Sequence, residues 1–507
     1  ALVPHVLERL DEAFLAAVRE RGDQLLAGLV GLARDYPDLV QEARGDGLLT
    51  GLELRAQVET GSTFLRELVR MFGLLPAAVA HVRHVNRVCL ATTLNTHHTL
   101  RVTPPLVVAA AEVQRALEAL ECFLATFRTG VARGVVSWLM DKTVDVDVPA
   151  LRRRQLAGRR ARPWARIDGR HRCVAFLVHP NSPDYLENFD RSFGDLTPAA
   201  RNHLADNLQR VIEPVYWHRF AVDSMDVRIL ASPFLPGDLV RAGRRLWSDE
   251  AELMTLMARD AGAQLVGLGG LFSVVTRNGE ALPDLGVGVT TGNSLTAFAA
   301  YESILELARL HYPGGPPPVA LLGGYGNIGL AVAELLLGEG FHVVLYGNPK
   351  NPARRQMLEH ATRQLDSRRT GRGRLSTGER LADHVAGPLI VLSATSDPGF
   401  QLDTAGLPEG STVLDLAMPP TLARDGRRAD RNLRLYQVGR VKSPVVIPDL
   451  HLVECRSVLY GCLAETIVLG LEGDFGGYSR GPLQVERVLS VGLPAKGLGF
   501  TIAFESL

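Results

Sequence analysis

From Pro318 to Gly347 the chain reads PVALLGGYGNIGLAVAELLLGEGFHVVLYG. Four buried-type residues, Val319 to Leu322, lead through a glycine turn into an apolar helix and then a second apolar strand, His342 to Tyr346. This is the first half of a doubly wound nucleotide-binding unit. In the turn, Gly324, Gly326 and Gly329 permit a tight bend, close approach of backbone to a pyrophosphate, and tight helix packing, while the helix start at Asn327 and Ile328 presents unpaired N–H groups to phosphate. The alternative is a glycine-rich turn of an unrelated α/β unit. The second strand should end over the adenosine ribose, where Gly347, Asn348, Pro349 and Lys350 follow, with Arg354 and Arg355 nearby and no acid. A carboxylate there would bind ribose hydroxyls and repel a 2′-phosphate, so its absence favours NADPH, with NADH as the other option. A solvated basic helix start explains Arg354 and Arg355 equally well.

At 507 residues the chain exceeds the length at which one core stops growing, so two or three domains are expected. Basic and acidic residues balance at 55 each, which leaves no global field for nucleic acid. Cys89, Cys122, Cys173, Cys455 and Cys462 are too scattered for a disulfide framework and lack metal-knuckle spacing. A reducing, cytoplasmic setting is the default. No apolar run is long enough for a membrane span, and the N-terminus lacks the order of a secretory signal.

Residues 4–34 carry Leu7, Leu10, Phe14, Val18, Leu25 and Leu29 at helical spacing. A strand at 45–55, a helix at 62–74, a strand at 98–108 and a helix at 109–127 complete an α+β unit. Nine arginines against one acid between Arg152 and Arg172 read as a solvated linker. Strands and helices then alternate to the GGPPP hinge at Gly314 to Pro318. The expected division is therefore 1–127, a linker at 128–171, a substrate-side α/β domain at 172–315, a nucleotide-binding domain at 316–450, and a C-terminal segment at 451–507.

Cys462 lies in CRSVLYGCLAETIVLGLEG on an apolar helix face, where a cysteine is either a small buried hydrophobe or a nucleophile. TTGNSLTAF, from Thr290 to Phe298, places Thr290, Thr291, Gly292, Asn293 and Ser294 ahead of a helix. These suit N-capping, and equally donors aimed at a carbonyl or phosphate. His81, His84, His97 and His98 do not match a closed zinc site and read as structural, so no metal is expected.

Taken in order, GLGGLFSVV (Gly267 to Val275, with Gly269 and Gly270), TTGNSLTAF, the GGYGNIG turn and YGCLAETIVLGLEGDFGGYSRG (Tyr460 to Gly481) resemble the long-chain acyl-[acyl-carrier-protein] reductases, aldehyde-forming enzymes of cyanobacterial alkane synthesis. The resemblance runs from about Arg172 to the C-terminus and includes FLPGDLVRA (Phe234 to Ala242). It implies a Rossmann-type nucleotide-binding domain beside an α/β substrate domain. It also implies that Cys462 is the active cysteine, in a cysteine-x-Ala-Glu pattern that makes Glu465 a second catalytic candidate, and that Gly323, Gly326 and Gly329 form the nucleotide loop. Where the family shows an Ala-Arg-Asn-like run, this chain has Tyr346-Gly347-Asn348; the missing arginine bears on NADPH preference rather than on cofactor use.

The first 127 residues resemble the small C-terminal domain of class III pyridoxal-phosphate aminotransferases, in RERGDQLLAGLVGLARDYPDLVQEARGDGLLTGLEL and HTLRVTPPLVVAAAEVQRALEALECF. In that family the cofactor lysine lies in a larger preceding domain, and here no lysine occurs before Lys142. This chain therefore cannot hold pyridoxal phosphate covalently through that part, and it reads as the C-terminal portion of a longer fusion. Arg101 either contacts substrate in the intact enzyme or holds a strand edge. Together the resemblances imply reduction of a thioester on an acyl carrier protein or CoA to an aldehyde, amination in the fusion, and a homodimer through the aminotransferase part. An ordinary dehydrogenase with a structural Cys462 and a noncatalytic docking module are the other readings.

Overall fold

The computed structural model describes residues 10–93, 98–141, 145–161, 172–237, 243–346, 352–368, 371–378, 381, 387–395, 400–418, 420–422, 432–445, 447, 457–476 and 479–506. It divides into two compact units, one made of Ala1–Val148 with Ser182–Val215 and the other of Pro149–Asn181 with Tyr216–Leu507.

In the first unit, helix Glu12–Asp35 starts where the Asp11 carboxylate accepts the Phe14 N–H at 2.8 Å and buries Leu25, Leu29 and Leu32. The segment expected as one strand at 45–55 is the second arm of an antiparallel hairpin, Val40–Asp46 with Leu49–Leu54. Its first arm, VQEARGD, is too polar to announce itself. Leu49–Leu54 pairs with Thr99–Val102, which pairs with Ala91–Thr92. Arg101 thus lies on an inner strand, opposite Gly51 and Ala91, with its side chain exposed; it holds no sheet edge. Helix Glu12–Asp35 packs on the hairpin and on helix Ala110–Arg128, which packs on Leu74–His84, and that helix on Thr63–Phe72. His81 is buried with Nδ1 3.2 Å from the Val135 carbonyl, and His84 stacks on Trp138 at 4.9 Å. His97 lies outside the described residues.

Residues 182–215, expected in the substrate-side domain, pack in this first unit. Phe193 meets Phe64 edge-on at 5.2 Å, and the Asn207 amide donates to the Leu139 carbonyl at 2.6 Å. The stretch 128–171 is not the irregular linker its composition suggests. Its described residues include helices Ala132–Val135, Trp138–Asp141 and Val148–Arg160, while 162–171 lie outside the description.

The second unit holds two sheets. The larger follows the order Arg374–Gly378, His342–Tyr346, Val319–Leu322, Ile390–Ser393, Thr412–Asp415, Arg434–Lys442, Val458–Tyr460, with Thr501–Ser506 also paired to Arg434–Lys442. Its first six strands are parallel, and in chain order they run 3-2-1-4-5-6, the doubly wound arrangement with a reversal between strands one and four. The central strands are buried except at Leu322, as a parallel sheet covered by helices on both faces requires. The smaller sheet runs Val215–Val222, Met225–Ala231, Cys173–Val178, Leu265–Leu268, Gly288–Thr290, the last four parallel. The molecule is α/β, with a Rossmann-type doubly wound sheet. Helix Asn293–His311 packs on helices Asn327–Gly338, Gly461–Glu472 and Val485–Gly497 and on strand Arg434–Lys442, joining the two sheets.

Candidate functional site

Ligands of open parallel sheets lie beyond the carboxyl ends of the strands, at the point where strand order reverses. The glycine turn stands there, directly after Val319–Leu322 and beside Ile390–Ser393. A side chain at Gly329 would place its Cβ 2.8 Å from the Gly323 carbonyl and 2.9 Å from the Gly324 Cα, so the residue must be glycine for the helix to start this close to the strand. Gly326 caps helix Asn327–Gly338 without a side chain, and a Cβ there would meet only the Gly323 oxygen, at 3.1 Å. The result is an uncovered helix start over a bare backbone cradle, which fits a dinucleotide pyrophosphate. The Ile328 backbone belongs to that start. The Asn327 side chain does not face it freely: Nδ2 donates to the Gly481 carbonyl at 3.2 Å and Oδ1 accepts from the Leu483 N–H at 2.7 Å. Gly347, Asn348 and Lys350 lie outside the described residues, as does the side chain of Arg354.

Cys462 is the second residue of helix Gly461–Glu472, which follows strand Val458–Tyr460 with no side-chain cap. Burial pushes the Cys462 thiol up to about 12, with Glu465 adding repulsion, against smaller opposing contributions from the backbone of Leu463, Cys462 and Gly270. Cys462 is still partly open to solvent. Cys173, in contrast, is buried in its strand and pushed up to about 11; Cys455 lies outside the described residues.

The turn Thr290-Thr291-Gly292 presses onto the cysteine. Gly292 has φ of 71°, and a Cβ on it would stand 2.2 Å from the Cys462 Cα, so both conformation and space demand glycine. The hydroxyls before helix Asn293–His311 point inward rather than toward a ligand. Thr290 Oγ1 donates to Glu465 Oε1 at 2.5 Å, Thr291 Oγ1 donates to the Ser479 carbonyl at 2.6 Å, and Ser294 Oγ bonds the Ser479 hydroxyl. Asn293 reaches Asn278 at 3.5 Å. None of these side chains caps the helix from its N-cap position, because Gly292 stands there. Glu465 does so from across the interface, accepting the Leu295 N–H at 2.8 Å and the Ser294 N–H. Its carboxylate has no exposed surface, and burial raises it above the ordinary carboxyl range. Glu465 thus braces the turn under the sulfur.

Three participants escape sequence reasoning. His179, at the carboxyl end of strand Cys173–Val178, accepts the Leu271 N–H at 2.9 Å beside Gly269 and Gly270; the end of a parallel strand is the signal that could have singled it out. Asn278 and Ser479 both adopt positive φ, 56° and 50°. Ser479 to Leu483 forms a strap with Thr291, Ser294 and Glu465 at one end and Asn327 of the glycine turn at the other. Among the described residues, no group of three His, Cys, Asp or Glu side chains is placed to hold a metal, and no helix is long and apolar enough to cross a membrane.

No protein-family model matches the chain. It is similar to the aminotransferase PigE of Serratia sp. (strain ATCC 39006), with 34% identity over 247 residues, 48% of this chain. The chain spans only 28% of that relative's length. Among solved structures, a mutant of M. tuberculosis Rv3290c aligns with 24% of this chain and 24% of its own, at 25% identity and a TM-score of 0.18.

Proposed function

We propose that this chain reduces an acyl thioester, carried on an acyl carrier protein or CoA, to an aldehyde, and that an aminotransferase joined to it converts the aldehyde to an amine. The observation that carries the first half is the strap Ser479 to Leu483, which ties the glycine turn to the turn beneath Cys462. A nucleotide cradle and a sulfur at a helix start share one framework. The second half draws on the similarity to an aminotransferase over 48% of the chain. Pyridoxal phosphate would be held covalently outside this sequence's first 127 residues, which contain no lysine.

The Cys462 sulfur attacks the thioester carbonyl; the new S–C bond forms as the carrier C–S bond breaks, and the thiol proton leaves with the carrier sulfur. The acyl group then stays on the enzyme after the bulky carrier has gone. A reduced nicotinamide, when bound on the glycine cradle, supplies hydride to the acyl carbon. The helix N–H groups of Cys462 and Leu463, with Gly270, receive the negative charge on sulfur as the aldehyde departs. The exposed Arg153 and Arg154 of helix Val148–Arg160 supply a basic face to an acidic carrier.

An ordinary dehydrogenase, with Cys462 only packing, is favoured by the close packing of the Gly292 turn on Cys462, whose burial pushes the thiol up to about 12. Aldehyde formation from a long-chain acyl-CoA with NADPH separates the two. Cys462→Ala should abolish it, and a variant within a few-fold of the parent would transfer the assignment to the dehydrogenase.

A further inference from the structure

We infer that Asn327 is a positioning residue that acts on Cys462 through the strap Ser479 to Leu483, so that a dinucleotide seated on the glycine cradle tightens the turn packed against the cysteine. The inference rests on the dinucleotide reading of that cradle and needs no thioester chemistry.

Asn327 is the first residue of helix Asn327–Gly338, which Gly326 caps without a side chain. Its backbone therefore stands among the unpaired N–H groups that would meet a pyrophosphate. Its side chain is committed elsewhere: Oδ1 accepts the Leu483 N–H at 2.7 Å, and Nδ2 donates to the Gly481 carbonyl at 3.2 Å. An amide offers both a donor and an acceptor, and the strap engages both. One residue thus belongs to the cradle through its main chain and to the strap through its side chain.

The strap carries this grip to the cysteine through a continuous run of contacts. Midway, the Gly481 N–H donates to the Asn278 carbonyl at 2.8 Å and Arg480 Nη2 to the Leu282 carbonyl at 2.7 Å. Gly481 has φ of 79°, and a Cβ there would meet Glu280 Oε1 at 2.9 Å, so the strap's path leaves room for glycine alone. At the far end the Ser479 carbonyl accepts from Thr291 Oγ1 at 2.6 Å, and the Ser479 and Ser294 hydroxyls bond each other. Thr291 and Ser294 flank Gly292, whose backbone lies so close to Cys462 that a Cβ would collide with the cysteine's Cα and Cβ. Thr296 Oγ1 donates to the Gly292 carbonyl at 2.8 Å, and a Cβ on Gly461 would stand 2.8 Å from the Thr296 Cα. Here backbone packs on backbone, with no flexible side chain between to absorb a shift. Cys462 is partly open to solvent, so a reagent reaches its sulfur as far as this turn gives way. An anion that orders Asn327 orders the strap, and an ordered strap holds the turn shut.

The test is the rate of Cys462 alkylation by iodoacetamide, followed by peptide mapping, in the full chain with and without saturating ADP-ribose or its 2′-phosphate. These ligands carry the pyrophosphate but no nicotinamide, and calorimetry measures their binding separately. Bound ligand should slow labelling at least about five-fold. Thr291→Val cuts the strap at the cysteine end and Asn327→Ala cuts it at the cradle; each should bring that factor to within about two-fold while ligand still binds. Thr291→Ser, which keeps the hydroxyl, should retain the parent's protection. If one cut variant does not fold, the other decides. A ligand that binds without slowing the parent, or protection that survives in a folded cut variant because the ligand itself shields the sulfur, overturns the inference and leaves the dinucleotide reading standing. A chain that binds neither ligand overturns both.

Discussion

Glu465 lies three residues beyond Cys462, which in the sequence makes it a candidate partner in catalysis. In the structure the same spacing puts it one helical turn deeper, where Thr290, Leu295 and Ser294 consume its oxygens. Thr290 and Ser479 can reverse their hydroxyls to accept, whereas the two backbone N–H groups cannot. Glu465→Gln should therefore stay within about 1 kcal/mol of the parent, and Glu465→Ala should lose roughly 2–4 kcal/mol by stranding those donors, both read by denaturant unfolding. The pH sign follows from the raised carboxyl. Folding favours its protonated form, so this contribution is complete below the ordinary value of 4.5 and is lost as pH rises through the folded value. Glu465→Gln, neutral at every pH, should gain on the parent as pH rises across that window. The glycine turn was legible because it carries its own local pattern, whereas Cys462 stood out only through the resemblance of its surrounding motif. His179 was not legible, since its partners Leu271 and Trp247 lie far along the chain.

At the scale of elements, the arginine-rich stretch is the instructive failure. Composition alone makes Val148–Arg160 look solvated, yet Arg152 and Leu156 form a buried stripe four residues apart. Arg152 has no exposed surface; its Nε donates to Glu250 Oε2 at 2.8 Å, and Glu250 also accepts from Ser232. The acid that makes this possible stands 98 residues later, beyond the reach of any local window. Arg152→Ala removes the charged donor to a buried carboxylate and should cost roughly 1.5–3 kcal/mol in unfolding free energy. The double change Arg152→Met with Glu250→Leu should recover most of it. The exposed arginines of the same helix carry a separate expectation: Arg153→Glu with Arg154→Glu should raise KM for a carrier-bound thioester several-fold and leave turnover of acyl-CoA unchanged, measured by aldehyde formation. The hairpin arm Val40–Asp46 was missed for the complementary reason, because an exposed strand of polar residues carries no apolar alternation.

For the whole molecule, one motif determined most of what could be read. A glycine turn between two apolar strands implied the doubly wound sheet, and the strand order 3-2-1-4-5-6 follows from that topology. What the motif could not convey is how the sheet meets the smaller one. That depends on helix Asn293–His311, capped from another helix by Glu465, and on the strap that joins Asn327 to the turn below the cysteine. Both are contacts between segments more than 150 residues apart, set by packing rather than by local pattern. The central claim is that this framework exists to place an acyl group on Cys462 within reach of a bound dinucleotide. Its most direct test is intact-mass spectrometry with peptide mapping after mixing the chain with a long-chain acyl thioester in the absence of nicotinamide. The account predicts one acyl adduct, on Cys462, that is released as aldehyde when NADPH is added; a chain that binds NADPH but never acquires the adduct would contradict it.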